Sequence, residues 1–256
     1  MWYKNISEFM TEVSGFYDEI CKLPTVARRR FFTELQQNYG KINLLLDMSC
    51  STGELCCELA QIGIIADGLD FSGGMIEVAR KKAATKAGKS DFYTIEMKDV
   101  ASIGKKYNVM YNNSLTWNPT REYACQTIQA AYENLDKGGL LIIDMLNYSN
   151  FINNYKPLCM SSKSNADAYI YKISRYVEYP RKDISEITLV QSYIYQDKKG
   201  QKEDIYSAVL KMRLYETKEM MDMLIECGFD IVEVYFDYKK NQNENDASTI
   251  QIIGKK

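Results

Sequence analysis

The chain has 256 residues, 46% of them apolar and 26% charged, enough for the core of a large globular domain. It contains no histidine, which excludes the usual zinc sites and every histidine-based catalytic triad, and we predict no metal site. The net charge of −2 argues against a nucleic-acid partner, and no apolar run reaches the roughly 18 residues of a membrane span.

The N-terminal region, residues 1–40, is predicted to form a helical cover with helices over 13–21 and 26–39. Its first residues lack the basic start and the apolar run of a secretory signal, so we expect a cytoplasmic protein. The seven cysteines of the chain are scattered and form no Cys-x-x-Cys pair, which indicates reduced thiols.

From residue 43 to residue 144, short apolar runs alternate with amphipathic segments, which is typical of a parallel sheet with right-handed helical crossovers. Strands are predicted at 44–46, 64–70, 92–96, 107–111 and 140–144, with helices at 53–62, 75–87 and 122–135. The segment 136–139 is predicted to close the last of these helices with a glycine cap.

Beyond residue 148 the segments are longer and rich in Tyr, Ile and Val, which predicts an antiparallel insert over 149–214. Its strands are expected at 168–178, 187–195 and 205–214, with a hairpin turn at 198–200. A helix with Thr217 as its N-cap and strands at 230–237 and 249–253 complete the fold. The prediction is one α/β domain, 1–256: a Rossmann-like, seven-stranded, mostly parallel sheet with helices on both faces and an antiparallel β insert after the fifth strand.

A loop of small residues, from Asp47 to Gly53, joins a predicted strand to a predicted helix. Small residues let backbone N–H groups approach a ligand, and the start of a helix favours a negative group. Asp70 ends the next strand about 20 residues later, where a carboxylate can accept hydrogen bonds from ribose hydroxyls. Loop and acid together predict a nucleotide-type cofactor site; the alternative is a tight turn with Asp70 as a helix cap.

The loop Asp47-Met48-Ser49-Cys50-Ser51-Thr52-Gly53 resembles the D-x-G-C-G-T-G motif of class I S-adenosylmethionine-dependent methyltransferases. The segment 69–80 resembles the D-x-S-x-x-M-L-x-x-A-R signature of that family, 98–100 its adenine-contacting segment, and 135–140 its lead into the fifth strand. The order of parts is similar to the branch of glycine N-methyltransferase-like enzymes and amino-sugar N,N-dimethyltransferases. Two motif glycines are replaced, by Ser49 and Ser51, and a Cβ at Ser51 costs about 1 kcal/mol if its φ is positive.

The resemblance implies S-adenosylmethionine as cofactor and S-adenosylhomocysteine as product. The residues expected to bind the cofactor are Tyr17, Arg29, Asp47, Ser49, Cys50, Ser51, Gly53, Asp70, Phe71, Met75, Asp99, Val100, Asn112 and Asn113. Arg30 is the alternative to Arg29, because either guanidinium fork suits the cofactor carboxylate. Candidate catalytic residues lie in the covering helix or beyond the carboxyl ends of strands, where such sheets bind ligands. They are Tyr17, Trp117, Asn118 and Tyr148.

The resemblance also implies methyl transfer to a small-molecule acceptor, most simply an amine, by an in-line displacement in which positioning supplies much of the rate. A neutral amine needs little proton chemistry, which suits a chain without histidine. The expected partners are a small-molecule substrate and a second copy of the chain in a homodimer, with the insert covering the substrate pocket. Nucleic acid and membrane are not expected partners.

Four alternative functions stay open. An O-methyltransferase would need a base near the acceptor hydroxyl. A nicotinamide-dependent dehydrogenase shares the loop-and-acid pattern, but Gly-x-Gly-x-x-Gly is absent here. A non-catalytic partner subunit would have lost cofactor binding through Ser51. A nucleic-acid methyltransferase would need a basic face, which the interspersed charges do not predict.

Overall fold

The structure is a computed structural model and describes residues 1–3, 5–21, 24–85, 89–118, 120–178 and 185–256. Its α-helices are α1 (Ile6–Val13), α2 (Tyr17–Ile20), α3 (Thr25–Tyr39), α4 (Glu54–Ala60), α5 (Gly73–Thr85), α6 (Arg121–Asn134), α7 (Tyr148–Asn153) and α8 (Thr217–Glu226). The predicted end of the α5 helix, at Ala87, lies outside the described residues. Across the described ranges, no helix combines the length and the apolarity that a membrane span requires.

Two sheets are built from the twelve strands found in these ranges. The strands are β1 (Trp2–Tyr3), β2 (Leu44–Asp47), β3 (Ile65–Asp70), β4 (Phe92–Thr94), β5 (Tyr107–Asn112), β6 (Leu135–Leu146), β7 (Leu158–Ser164), β8 (Ala168–Tyr176), β9 (Glu186–Asp197), β10 (Glu203–Arg213), β11 (Asp230–Phe236) and β12 (Thr249–Lys255). The main sheet has the order β11-β12-β6-β5-β2-β3-β4. Strands β2 to β6 run parallel, and β12 and β11 add antiparallel pairs, so the predicted seven-stranded, mostly parallel sheet is confirmed.

Helices cover both faces of the main sheet because each face presents a continuous apolar surface. On one face, α3 and α4 pack through Phe31, Leu35 and Leu55. On the other face, α6 and α8 pack through residues such as Ile128 and Leu224. Full burial of a side chain of this size contributes roughly 1.5–3 kcal/mol, so both helical layers stabilise the sheet.

The insert is an antiparallel sheet in the order β10-β9-β8-β7, with β1 added in parallel to the outer edge of β10. It follows β6, the fifth strand of the main sheet, as predicted. Its inner face packs on α1 through a third core, which contains Phe9 of α1 together with Ile170, Leu189 and Leu210 of the insert. This packing holds the insert over the carboxyl end of the main sheet.

Three local predictions were wrong. The helix predicted over 13–21 is broken, since α1 ends at Val13 and α2 begins at Tyr17. Gly138, with φ +78°, does not cap α6; that helix ends at Asn134, and the chain enters β6 directly. Thr217 is the first residue of α8, and Glu216 is its N-cap; the hydroxyl of Thr217 donates to Glu244 at 2.9 Å.

Candidate active site

The strand order of the main sheet reverses between β2 and β5, and ligands bind beside the carboxyl ends of strands at such a point. A cavity of about 450 Å³ opens there, between the main sheet and the insert, and its size is typical of a small-molecule site. The loop after β2 and Arg28 form its floor, and Cys159 to Ser161, Lys172 and Ser174 of the insert form its roof. Side walls come from α2 and from residues 113–117.

Two residues of the floor loop have positive φ angles, Ser51 at 47° and Gly53 at 73°. A Cβ on Gly53 would lie 2.9 Å from Ala79 and from the ring of Phe92, so this position needs glycine for space as well as for conformation. At Ser51 the Cβ is present, and the left-handed conformation costs on the order of 1 kcal/mol. The strain expected from the sequence if Ser51 had a positive φ is therefore present in the structure.

Asp70 at the end of β3 holds the floor loop in place. One carboxylate oxygen accepts from the backbone N–H of Ser51 at 3.1 Å, and the other accepts from that of Ser72 at 2.9 Å. Burial raises the pKa of Asp70 to about 6, while both hydrogen bonds act in the opposite direction. Asp70 therefore offers two oxygens, each already bonded to a donor that a ligand hydroxyl could supplement or replace.

Arg28 of α3 is a buried guanidinium with free hydrogen-bonding capacity. Its side chain is 1% exposed, and Nη2 donates to Glu58 at 3.1 Å, but Nε and Nη1 have no partner among the described residues. A buried donor left without a partner costs about 1–3 kcal/mol. Because Arg28 also lines the cavity, an anionic ligand there would satisfy it.

Asp47 at the end of β2 lies on the same floor. It accepts from the backbone N–H of Ser49 at 3.2 Å, which stabilises the start of the loop. Burial raises the pKa of Asp47 to about 7, and the Ser49 N–H and the charge of Arg28 oppose that rise. The floor thus combines a cation, an acid that titrates near neutral pH, and a loop of small residues.

Helix α2 joins the floor to the roof. Asp18 accepts a hydrogen bond from the hydroxyl of Thr52 and forms an ion pair with Lys82. Three residues later, Cys21 Sγ lies 3.3 Å from the hydroxyl of Tyr193 on β9. Burial raises the pKa of the phenol of Tyr17, which lines the cavity between these two contacts.

Many of the predicted site residues meet at this cavity. Those that line it are Tyr17, Asp47, Ser49, Cys50, Ser51, Asn113 and Trp117. Asn113 accepts from the hydroxyls of Ser49, at 2.7 Å, and Ser114, at 3.0 Å, so the end of β5 is tied to the floor loop. Asp70 and Gly53 are not among the lining residues, but the hydrogen bond from Ser51 to Asp70 and the positive φ of Gly53 fix the shape of the loop.

Other predicted residues lie away from the cavity lining. Met75 and Val100 are fully buried in the cores, and the buried amide of Asn112 donates to Met97. Phe71 is 38% exposed, and Asp99 forms an exposed ion pair with Lys98. Because Phe71 follows Asp70 directly, its exposed ring is available to the outer part of a ligand that extends past Asp70.

The structure places three predicted site residues away from the cavity. Arg29 does not reach the cavity: it is half-buried and donates to Gln61 at 3.0 Å. Neighbouring helix residues point about 100° apart, so Arg28 takes the place expected for Arg29. Tyr148 is buried in the core beneath the insert, and Asn118 likewise does not line the cavity, because the chain turns away after Trp117.

Arg28 was not predicted as a site residue, although its spacing from nearby apolar residues indicates that it is buried. Residues 28, 31, 32 and 35 follow the spacing of one helix face, and the last three are Phe31, Phe32 and Leu35. An arginine on the buried face of a helix marks a charge that needs a partner. The roof residues of the insert gave no such signal.

Comparisons with known proteins agree with this geometry. Residues 45–139 match the family model described as a methyltransferase domain. A protein of Geobacillus sp. (strain WCH70), named "Putative methyltransferase", is 22% identical over 245 residues, which cover 94% of this chain and 97% of the relative.

Solved structures share the whole fold. An S-adenosylmethionine-dependent methyltransferase from Clostridium acetobutylicum ATCC 824 superposes with a TM-score of 0.78 at 15% identity, over 95% of this chain and 97% of that one. The sugar N-methyltransferase KedS8 from Streptoalloteichus sp ATCC 53650 gives a TM-score of 0.70 at 16% identity, over 98% of this chain and 93% of that one. The predicted class I fold, with its insert, is confirmed.

Proposed function

We propose that this chain, a methyltransferase of the class I fold, transfers the methyl group of S-adenosylmethionine to an amine on a small molecule held in the cavity. The observation that carries the proposal is Arg28, a buried guanidinium with unpaired N–H groups that lines the same cavity as the small-residue loop after β2. In this proposal residues 1–40 and the insert, 149–214, act as covers of the cavity.

The floor fits the cofactor part by part. The guanidinium of Arg28 suits the carboxylate of the methionine portion, because its planar fork of donors matches two carboxylate oxygens. The paired oxygens of Asp70 suit the ribose hydroxyls. The loop from Ser49 to Gly53 has side chains small enough for close approach of the backbone. When bound, the cofactor supplies a methyl group on a positively charged sulfur.

The chain's own contribution is to hold and orient the acceptor. An in-line displacement gains most of its rate from positioning, and a neutral amine presents its lone pair without help from a base. Burial raises the pKa of Tyr17, which makes its phenolate costly, and Asp18 is engaged by Thr52 and Lys82. These features support an amine over an alcohol.

One observation favours the alternative of O-methylation. Glu54 lines the cavity, and burial raises its pKa, which makes its carboxylate a better proton acceptor. Under this alternative, Glu54→Gln would abolish turnover of an alcohol acceptor. Under the amine proposal, the same variant would keep most of its activity.

The first test is calorimetric titration with S-adenosylmethionine and S-adenosylhomocysteine, after any ligand carried through purification has been removed. We expect binding by the wild-type chain and its loss in Asp70→Ala. A titration with a nicotinamide dinucleotide serves as the control for the dehydrogenase alternative. Absence of S-adenosylhomocysteine binding by folded protein would overturn the proposal and favour a non-catalytic partner subunit.

The second test is turnover of a panel of small amines and alcohols, followed by release of S-adenosylhomocysteine and a mass gain of one methyl group in the acceptor. Amine products support the proposal, and products formed only from alcohols support the alternative. A homodimer stays a prediction, which light scattering on the purified chain would check.

A further inference from the structure

The inner face of the insert changes from apolar to polar along β8. Ala168 and Ile170 are fully buried against the core that contains α1. The next two positions on the same face are Lys172 and Ser174, and both line the cavity. Lysine is an unusual choice on a strand face that otherwise serves a core, so this position needs a functional explanation.

The neighbours of Lys172 across the sheet are also polar. Its register partners are Ser161 on β7 and Tyr193 on β9, and residues paired directly across antiparallel strands share one face. Ser174 donates to Gln191 at 2.8 Å, and the Gln191 amide in turn donates to the carbonyl of Ile173 at 3.0 Å. Lys172 and the Ser161 hydroxyl therefore form a polar patch beside Ser174 and Gln191, which already have hydrogen-bond partners.

The ammonium group of Lys172 lacks a counter-charge. Within the part of the chain that the structure describes, neither its Nζ nor the hydroxyl of Ser161 has a hydrogen-bond or ion-pair partner. The side chain is half-buried, so some of its hydration is lost without an ion pair in exchange. The cavity carboxylates do not compensate, since Asp18 pairs with Lys82, and Asp47 and Glu54 lie on the opposite floor near Arg28.

The cavity thus has a cation at each end. Arg28 on the floor lies beside the loop that fits the cofactor, and its place is explained by the methionine carboxylate. Lys172 on the roof comes from a different sheet and faces the space left for the acceptor. A second anion is needed to satisfy it, and the acceptor is the remaining ligand of the cavity.

We propose that the acceptor carries an anionic group, a carboxylate or a phosphate, and that Lys172 binds it with the Ser161 hydroxyl as a neighbouring donor. This inference rests on the proposed function and narrows its substrate class to amines that also bear an acidic group. Lys172 selects and orients the acceptor; it takes no part in the transfer itself.

The first experiment measures anion binding without any cofactor. Acetate and inorganic phosphate are titrated separately into the purified chain, and the backbone amide chemical shifts are followed by NMR. We expect shifts around Lys172 that saturate in the wild type and in Lys172→Arg but not in Lys172→Met, separate from any shifts around Arg28. The anion that binds more tightly at Lys172 identifies the acidic group. Lys211→Met is the control, because Lys211 lies on the same insert but is exposed. Identical titrations for wild type and Lys172→Met would overturn the inference.

The second experiment compares matched acceptors with the same amine: amino acids against their amides, and aminoalkyl phosphates against amino alcohols. We expect turnover of acid-bearing members, and a KM for them that rises about tenfold to a hundredfold in Lys172→Met with little change in kcat. The affinity for S-adenosylhomocysteine should stay the same in that variant. Equal turnover of neutral and acidic acceptors would contradict the role of Lys172, whereas failure to bind S-adenosylhomocysteine in the wild type would contradict the proposed function instead.

Discussion

The backbone N–H of Ser51 donates to the carboxylate of Asp70 at 3.1 Å, which joins the loop after β2 to the acid that ends β3. The same residue, Ser51, has the left-handed φ of 47°. The bond therefore helps to hold a strained residue at the place where the proposed cofactor binds. A ligand that takes this oxygen of Asp70 competes with the loop's own support, so loop shape and ligand binding depend on each other.

We expect the affinity for S-adenosylhomocysteine to depend on pH through Asp70. Its pKa is raised by burial to about 6, and only the ionised carboxylate accepts hydrogen bonds from both ribose hydroxyls. Below that pH a proton must leave before the ligand binds, so affinity should fall by up to about tenfold per pH unit, and it should level off about one unit above the pKa. Calorimetric titrations over a range of pH would measure this.

Two variants would show which carboxyl group causes the pH dependence of binding. Asp70→Asn should bind weakly, without the dependence near pH 6, because the titrating group is gone. Asp47→Asn should keep it, although Asp47 titrates nearby. A flat wild-type profile, or an unchanged profile in Asp70→Asn, would show that another group is responsible.

The stability of the ligand-free chain should fall as pH rises through the range set by Asp47. Its pKa in the folded chain, about 7, lies above the ordinary value of 3.8, so the folded state binds more protons between these values. Asp47→Asn should therefore gain stability over the wild type progressively across this window, by a few kcal/mol at most. Urea unfolding at both ends of the window measures the difference, and a gain that is the same at both ends would contradict the prediction.

The two left-handed residues of the floor loop should differ in how strongly a change of side chain affects stability. Ser51→Gly relieves a strain of about 1 kcal/mol but adds a similar entropy to the unfolded chain, so the free energy of unfolding should change by less than about 1 kcal/mol. Gly53→Ala should cost more than about 2 kcal/mol, because its Cβ would lie 2.9 Å from Ala79 and Phe92. Chemical denaturation compares them, and equal losses would refute this account of the loop.

Removal of the Arg28 guanidinium should weaken binding of ligands that carry the methionine carboxylate. The double variant Arg28→Met/Glu58→Gln avoids leaving Glu58 as an unpaired buried charge. We expect its affinity for S-adenosylhomocysteine to fall about tenfold to a hundredfold, while methylthioadenosine, which lacks the amino-acid part, binds as before. Arg29→Met is the matched control and should bind both ligands normally. Equal losses for the two ligands would mean that Arg28 supports the fold only.

The floor of the site could be predicted from the sequence because its chemistry is local. Asp47, Ser51 and Gly53 lie in one short loop, and Asp70 lies at the end of the next strand, so strand-helix alternation alone places them together. The same alternation predicted the main sheet and its helices. These strands could be recognised because a parallel strand is buried on both faces and therefore appears in the sequence as a continuous apolar run.

The roof and the covering helices could not be located in this way. Lys172 faces the cavity only because of the register between β7, β8 and β9, which depends on long-range pairing. Strand β7 was missed because it is an exposed edge strand without apolar alternation. The exchange of Arg29 for Arg28 reflects a rotation of about 100°, which a shift of one residue in a helix produces.

Cys159 gives the chain a built-in place for an optical probe. Of the seven cysteines, all of which the structure describes, it is the exposed one, and it lines the roof of the cavity on β7. Burial raises the pKa of the thiols of Cys50 and Cys56, which slows their reaction with alkylating reagents relative to an accessible thiol. An environment-sensitive dye attached through a maleimide should therefore react first at Cys159 and report by its fluorescence when a ligand enters, before any acceptor is known.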